Sequence, residues 1–400
     1  MKRYFMVEDQ RGAVSLFVVI FTALIVTVMT VSFVRLMIDG QRSAADADLS
    51  RSALDSAQAG VEDAKRAIVK YRSCLNDRAN PACGNILDLV NDTSCQVLQN
   101  KGIAGLPSDK EVLIKQDEGD KQLQQAYTCV KIEIDSKDYI GTATKDEPRI
   151  IPLRGVEDFN QIRVTWFSAK DLEAGSDIEL PTLGSLVGGS ELPKQDEWTP
   201  NRPSLMRAQL IQYGDSFTLD QFDSPADGGS NANTLFLYPS PVDAPTYDFA
   251  NDSRRAPGAR SLVNAKCDPS FSAGSSAEYA CEAVLTLPKA IGQSAGRSDV
   301  RTAYLNLTGL YQKNHFKIEL LNVKGPAIAD SHVVKFSGVQ AVVDSTGRAD
   351  NKFRRVESRV ELDANTFQYP TATANTGAGF CKNLFVTDDA AEYQKSDEDC

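Results

Sequence analysis

The sequence predicts an α+β protein: a long N-terminal α-helix, made of a membrane span and an amphipathic half, packed on an antiparallel β-sheet head with long disulfide-tied loops. Three observations lead to this prediction. Between Gly12 and Arg35 lie 22 residues without a charge. A helical stripe of small and apolar residues continues from there to Tyr71. From Tyr127 onward, short β-prone runs alternate with connectors rich in Pro, Gly and Ser.

The uncharged run is long enough to span a bilayer, because a helix needs about 20 apolar residues to cross the hydrocarbon core. Many of its residues are Val, Ile or Thr, which form helices poorly in water, but a segment in lipid has to satisfy its backbone hydrogen bonds internally. We assign residues 1–12 to a charged leader and 13–38 to the span. Lys2, Arg3 and Arg11 precede the span and favour an N-terminus inside and a C-terminus outside. A removable secretory signal is the alternative, although its apolar region would cover only about 7–15 residues.

Residues 39–72 predict an amphipathic helix, with charged residues mostly on the face opposite the stripe. Because the stripe is narrow and rich in small residues, we expect it to lie close to a sheet or another helix. A single rod from Ala13 to Tyr71 would be roughly 88 Å long at about 1.5 Å per residue. The alternative is two helices broken near Asp39-Gly40. The stripe consists of Leu49, Ala53, Ala57, Gly60, Ala64, Ile68 and Tyr71.

The rest of the chain predicts three further regions. Residues 73–126 are polar and turn-rich and predict a Cys-containing loop insertion with one short helix at 85–98. Residues 127–370 predict a β-rich globular head. Its last hairpin would turn at 344–347 and direct Val356, Val360 and Leu362 toward the core. Residues 371–400 predict a C-terminal loop. The predicted strands are 127–134, 161–167, 205–213, 233–238, 279–287, 303–311, 316–322, 333–343 and 353–362.

The cysteines and the net charge narrow the compartment and the partners. All eight cysteines follow the span, which predicts disulfides in an oxidising compartment. Eight cysteines allow about 105 pairings, so the connectivity stays open, although Cys381 and Cys400 could close the C-terminal loop. The net charge of −11 argues against nucleic acid as a partner. The disulfide candidates are Cys74, Cys83, Cys95, Cys129, Cys267, Cys281, Cys381 and Cys400.

No catalytic residues, cofactor or metal site is predicted. Gly214-Asp215-Ser216 looks like the start of a lipase-type nucleophile motif, but a strand or turn follows it instead of a helix. Neither His315 nor His332 has an Asp three residues before it, and the two do not have zinc-site spacing, so both are predicted as surface or sheet residues. Residues 344–350 could hold calcium, but a plain turn fits their spacing better.

The segment QRGAVSLFVVIFTALIVTVMTVSFVR and the Ala-rich AADADLSRSALDSAQAGVEDAKRAIVKY after it resemble type IV pilins, most closely the PilX-type minor pilins. The resemblance covers residues 1–72. It implies that a prepilin peptidase cuts after Gly12 and that Ala13 becomes an N-methylated N-terminus. It also implies a single-pass anchor in the bacterial cytoplasmic membrane, which the pilus assembly machinery moves into a fibre. Lipid and then other pilin subunits would contact Val14, Phe17, Ile20, Leu24 and Val28.

Phe17 departs from the pattern of major pilins, which carry a Glu at the fifth mature position that pairs with the amine of a neighbouring subunit. The resemblance therefore implies a minor subunit that primes assembly or serves adhesion or twitching motility at the cell surface. A divergent major pilin remains an alternative within the family. Outside it, the alternatives are a permanently membrane-anchored extracytoplasmic binding protein and a membrane-anchored hydrolase.

Overall fold

One continuous helix, α1 (Arg11–Asn76), leads into a β-rich region. The computed structural model describes residues 11–107, 109–114, 124–144, 148–181, 198–212, 232–242, 247–248, 262–292, 303–323 and 331–362. The helix has 66 residues, which gives a length of about 99 Å at 1.5 Å per residue. It runs through Asp39 and Gly40 without interruption, so the alternative of two helices broken there is wrong.

Short helices and many strands follow α1. A 3₁₀ helix covers Pro81–Asn91 and α2 covers Val97–Asn100, where the sequence predicted one short helix over 85–98. A further 3₁₀ turn covers Ala169–Asp171. The strands are β1 (Val112–Leu113), β2 (Ala126–Glu133), β3 (Tyr139–Ala143), β4 (Arg149–Leu153), β5 (Phe159–Ser168), β6 (Leu205–Gln212), β7 (Ala232–Ser240), β8 (Tyr247–Asp248), β9 (Leu262–Cys267), β10 (Tyr279–Ile291), β11 (Ala303–Leu310), β12 (Asn314–Val323), β13 (Ser331–Val334), β14 (Gln340–Ala349) and β15 (Lys352–Glu361).

The smaller of two sheets carries the helix. Its strand order is β1-β2-β14-β15, and every pair in it is antiparallel. The second half of α1 lies across β2, β14 and β15. Apolar residues from both sides fill the space between them and form one core. This core includes Ala64, Ile68, Val130, Ile132 and Val343.

The larger sheet is inserted between two neighbouring strands of the smaller one. Strands β3 to β13 all belong to it, and the chain returns to the smaller sheet only at β14. Its main strand order is β13-β12-β5-β10-β9-β7-β6-β11-β4, with β3 on β12 and β8 on β10. It curls into a near-barrel: β3 comes so close to β11 that a β-carbon on Gly309 would lie 3.0 Å from the Ala143 carbonyl oxygen. The predicted head at 127–370 therefore contains two sheets.

The predicted antiparallel character holds for most of the strands. The exceptions are the parallel pairs β7–β9 and β10–β8. Strands β1, β3, β4, β8 and β9 were not predicted. The predicted strand at 333–343 is two strands in different sheets, separated by a turn that contains Gly338 at φ 59°.

The predicted turn at 344–347 is wrong. Strand β14 passes straight through those residues, and the hairpin turns at Asp350-Asn351, with Asp350 at φ 50°. Asp and Asn tolerate this left-handed region better than most residues. The predicted inward residues of the last hairpin are confirmed, since Val356 and Val360 in β15 pack against the smaller core and Leu362, directly after β15, is buried.

Specific hydrogen bonds join the two sheets. The buried side-chain amide of Gln340 donates to the Ile140 carbonyl and accepts from the Ile140 amide, each at 3.0 Å. Tyr139 Oη donates to Glu361 at 2.9 Å, and Arg359 forms an ion pair with Asp138. The larger sheet encloses a separate apolar core that contains Phe159, Trp166, Leu305, Phe316 and Phe336.

Candidate functional site: the exposed half of the N-terminal helix

The two halves of α1 differ sharply in their surroundings. From Leu16 to Ile38, every large apolar side chain is exposed. From Ala53 onward, one face is buried against the smaller sheet, and Ala53, Ala57 and Ala64 have no exposed surface. This surface carries no charge from Leu16 to Val34, and an apolar surface of this size marks a contact with lipid or with another protein.

The predicted packing residues lie in this exposed half. Phe17 is 77% exposed, and Ile20, Leu24 and Val28 are each more than half exposed. They recur every three or four residues and therefore share one side of the helix. Val14 and the proposed processing residues Gly12 and Ala13 lie in the first turns, where only the backbone is described. Removing each large side chain from water is worth about 1.5–3 kcal/mol, so this surface has a strong tendency to be covered.

The hydroxyl groups of the threonines in the same half are satisfied within the helix. Thr22 Oγ1 donates to the Val18 carbonyl at 2.8 Å, and Thr27 and Thr30 bond to the carbonyl four residues earlier at 2.7 Å. Because lipid offers no hydrogen-bond partners, this arrangement removes the cost of placing threonine in a membrane. Among the described residues, α1 is long and apolar enough to cross a membrane, with a mean hydropathy of 2.6 over its most apolar 18-residue window.

Close backbone contact fixes the second half of α1 to the smaller sheet. A β-carbon on Gly60 would overlap Ser345 Oγ and lie 3.0 Å from Val130 Cγ2. Gly60 is part of the predicted stripe, and its small size explains the close approach to β14 and β2 that the stripe predicted. Because α1 is one continuous helix, this contact with the smaller sheet also sets the direction of the exposed half.

Polar contacts reinforce the same junction. Tyr127 Oη donates to Asp63 Oδ2 at 2.8 Å, and burial together with this carboxylate raises the pKa of Tyr127 well above its ordinary value. Arg354 Nε donates to Ser50 Oγ at 2.7 Å, and Lys352 forms a 3.1 Å ion pair with Asp46. Sequence reasoning missed these contacts because their partners lie far apart in the chain.

Three disulfides confirm the predicted use of cysteine. Cys74–Cys83 ties the end of α1 to the 3₁₀ helix, and Cys95–Cys129 ties the following loop to β2. Cys267–Cys281 joins β9 to β10 in the larger sheet. The proposed closure between Cys381 and Cys400 lies outside the described residues.

Both histidines have structural partners. His315 Nδ1 lies 2.6 Å from Asp171 Oδ1, and Asp171 also accepts from Ser168 and from the His315 amide, which attaches the 169–171 turn to β12. His332 Nε2 faces Glu157 at 3.2 Å. Both histidines lie in strands, as predicted. Gly214-Asp215-Ser216 lies outside the described residues.

The calcium alternative for residues 344–350 is not supported by their geometry, because most of them form a strand. Both carboxylate oxygens of Asp344 accept from Arg355 at 2.6 Å. Within the described parts of the chain, no group of three or more His, Cys, Asp or Glu residues could hold a metal ion.

A groove of about 560 Å³ on the outer face of the smaller sheet is lined by charges that compensate one another. Lys335 Nζ lies 2.6 Å from Glu133 Oε1, and Arg355 pairs with Asp344. The groove therefore presents little unbalanced charge to a ligand.

Comparisons with known proteins returned no matching family model, curated protein or solved structure. The geometry defines an α+β protein. The exposed half of its helix suits a membrane or an apolar bundle, and its β region is large and disulfide-bonded.

Proposed function

We propose that this chain is a minor pilin-like subunit, anchored in the bacterial cytoplasmic membrane by the exposed half of α1 and then assembled into a type IV pilus or a related fibre. The N-terminus would face the cytoplasm and the β region would lie outside. Prepilin peptidase would cut between Gly12 and Ala13, and the assembly machinery would move the subunit into the fibre.

The observation that carries this proposal is the apolar surface from Leu16 to Ile38, exposed on a helix that continues into a sheet-bound half. Such a surface suits lipid first and neighbouring helices later, because close packing can replace lipid contact. The threonine hydroxyls that bond within the helix fit both environments. The disulfides suit an extracytoplasmic β region.

The decisive experiment is mass spectrometry of the mature N-terminus, together with recovery of the chain in sheared fibres. We expect Ala13 as the first residue, N-methylated, and the chain in the fibre fraction. An intact Met1 would refute the proposal.

A permanently anchored extracytoplasmic binding protein is the second candidate. The size of the inserted near-barrel favours it, since this sheet far exceeds what is needed to support α1. Retention of the whole chain in the membrane fraction after shearing, in cells that assemble fibres, would select this candidate.

A further inference from the structure

The outer face of strands β7, β6, β11 and β4 carries an unusual set of buried polar and aromatic side chains. Alternate residues such as Met206, Leu237 and Leu307 face the core of the near-barrel, so the intervening residues lie outside. The pairing register places Phe236, Arg207 and Thr308 in one row across three strands, with Gln209 and Asn306 in the next. Although these positions lie outside the barrel, Thr308 is only 3% exposed and Asn306 only 6%.

The described strands of this face carry positive charge without an acidic residue to balance it. The chain contains 54 acidic residues, yet β4, β6, β7 and β11 contain no Asp or Glu. Arg207 is half-buried and makes one long hydrogen bond, from Nη2 to Thr308 Oγ1 at 3.4 Å. It has no ion-pair partner among the described residues, and its Nε has no hydrogen-bond partner there.

Among the described residues, no opposite charge offsets the burial of this cation. Burial lowers the pKa of the Arg207 guanidinium, which reflects the unfavourable removal of its charge from water. An anionic group placed against it would offset this cost and form charge-assisted hydrogen bonds.

The remaining polar atoms restrict which anion fits. Asn306 Oδ1 is a buried acceptor without a donor in the described part of the chain, and Trp198 Nε1 is a buried donor without an acceptor there. Tyr238 Oη is likewise buried and without such a partner. A bare carboxylate offers acceptors but no donor, so it would leave Asn306 unsatisfied. A ligand that combines a carboxylate with hydroxyl groups would satisfy both kinds of atom.

Aromatic rings border the polar row. Phe236 is directly opposite Arg207, and Tyr238 follows on the same face of β7. Trp198 stacks on Tyr311 with centroids 4.6 Å apart, and Tyr238 meets the Trp198 ring edge-on at 6.3 Å. Tyr238 and Trp198 are buried against each other, whereas Phe236 is only partly buried and can pack against the C–H face of a sugar.

We propose that this face, centred on Arg207, binds an acidic saccharide of the uronic-acid type. Arg207 receives the carboxylate, Asn306 accepts a hydrogen bond from a hydroxyl group, and Phe236 packs against the sugar ring. The proposal concerns recognition by the β region and does not depend on fibre assembly, because the exposed half of α1 takes no part in it.

The test measures binding of glucuronate to the full-length chain in detergent micelles, with glucose and acetate as comparison probes. We expect glucuronate to bind and to raise the melting temperature. Glucose lacks the carboxylate and acetate lacks the hydroxyl groups, so each should bind at least tenfold more weakly than glucuronate. Arg207→Gln should weaken glucuronate binding at least tenfold, in line with the loss of a charged hydrogen-bond donor. Arg163→Gln is the matched control, since Arg163 lies on the outer face of β5 and pairs with Glu319 and Glu282. It should leave glucuronate binding unchanged.

A second readout separates binding from a structural role. Without ligand, Arg207→Gln should keep or raise the melting temperature, because it removes a half-buried charge that has no ion-pair partner among the described residues. Asn306→Leu should likewise keep or raise the melting temperature without ligand, and it should lose glucuronate binding. The proposal is overturned if wild-type protein fails to bind glucuronate, if acetate binds equally well, or if Arg207→Gln melts earlier than wild type without ligand.

Discussion

Gly347 in β14 lies against the helix backbone at Ala57, so closely that a β-carbon on Gly347 would overlap the Ala57 amide nitrogen. The same β-carbon would lie 2.8 Å from the carbonyl carbon of Ser56. Backbone on both sides leaves no flexible side chain that could move away. This contact therefore sets the distance between α1 and the smaller sheet.

Gly347→Ala should lower the free energy of unfolding by about 1–3 kcal/mol, the usual range for overpacking a tight contact. Chemical denaturation of the full-length chain in detergent measures this change. Gly274→Ala is the control, because no atom lies within 4 Å of a β-carbon added there. Equal stability of the two variants would contradict the close contact.

Leu24→Arg should reduce the amount of chain in the membrane fraction. An arginine near the middle of a spanning helix costs about 2.5–3.5 kcal/mol for insertion. Val69→Arg is a matched control on the same helix, because Val69 is 67% exposed and lies outside the span. Cell fractionation with immunoblotting measures both, and a similar loss for the two variants would argue against a spanning role for the exposed half.

Phe17→Glu should increase incorporation of the chain into the body of the fibre. On the proposed assembly, a carboxylate at the fifth mature position gains the amine of a neighbouring subunit as a partner, which Phe17 does not have. Quantifying the chain in sheared fibres measures the effect. Phe17→Gln controls for polarity without charge. Unchanged incorporation and localisation with Glu would show that Phe17 has no special role.

Alkaline pH should destabilise the contact between α1 and β2. The pKa of Tyr127 is raised in the folded state, so folding favours the protonated phenol. The resulting stabilisation is complete below the unfolded pKa of about 10 and is lost as the pH rises above it. Melting temperatures should therefore fall above about pH 10, and less steeply in Tyr127→Phe than in wild type. Equal slopes for the two proteins would contradict this prediction.

Removing the Cys95–Cys129 bond should cost more stability than removing Cys74–Cys83. The bonds close segments with sequence separations of 34 and 9. The loop-entropy relation gives about 4 kcal/mol for the first and about 2.5 kcal/mol for the second. Paired Cys→Ser variants, compared by denaturant unfolding, measure the difference. The reverse order would show that native contacts outweigh loop closure here.

Local patterns predicted much of this architecture. The uncharged run and the stripe from Leu49 to Tyr71 predicted α1 and its buried face, because helical periodicity depends on neighbours three and four residues apart. Alternation along β15 correctly placed Val356 and Val360 inward. In contrast, 344–347 had a turn-like composition but lies within β14, since pairing with both β2 and β15 overrides local preference.

The sequence by itself determined that the chain has a membrane-length apolar helix, an amphipathic continuation, a β-rich remainder and cysteines that form disulfides. Only the tertiary structure decided that two sheets exist, that the larger is inserted between β2 and β14, and that Gly347 meets the helix backbone at Ala57. It also placed Arg207 beside Thr308 and Phe236, on strands without an acidic residue. These relationships depend on strand register between distant segments, and register arises from packing of the whole chain.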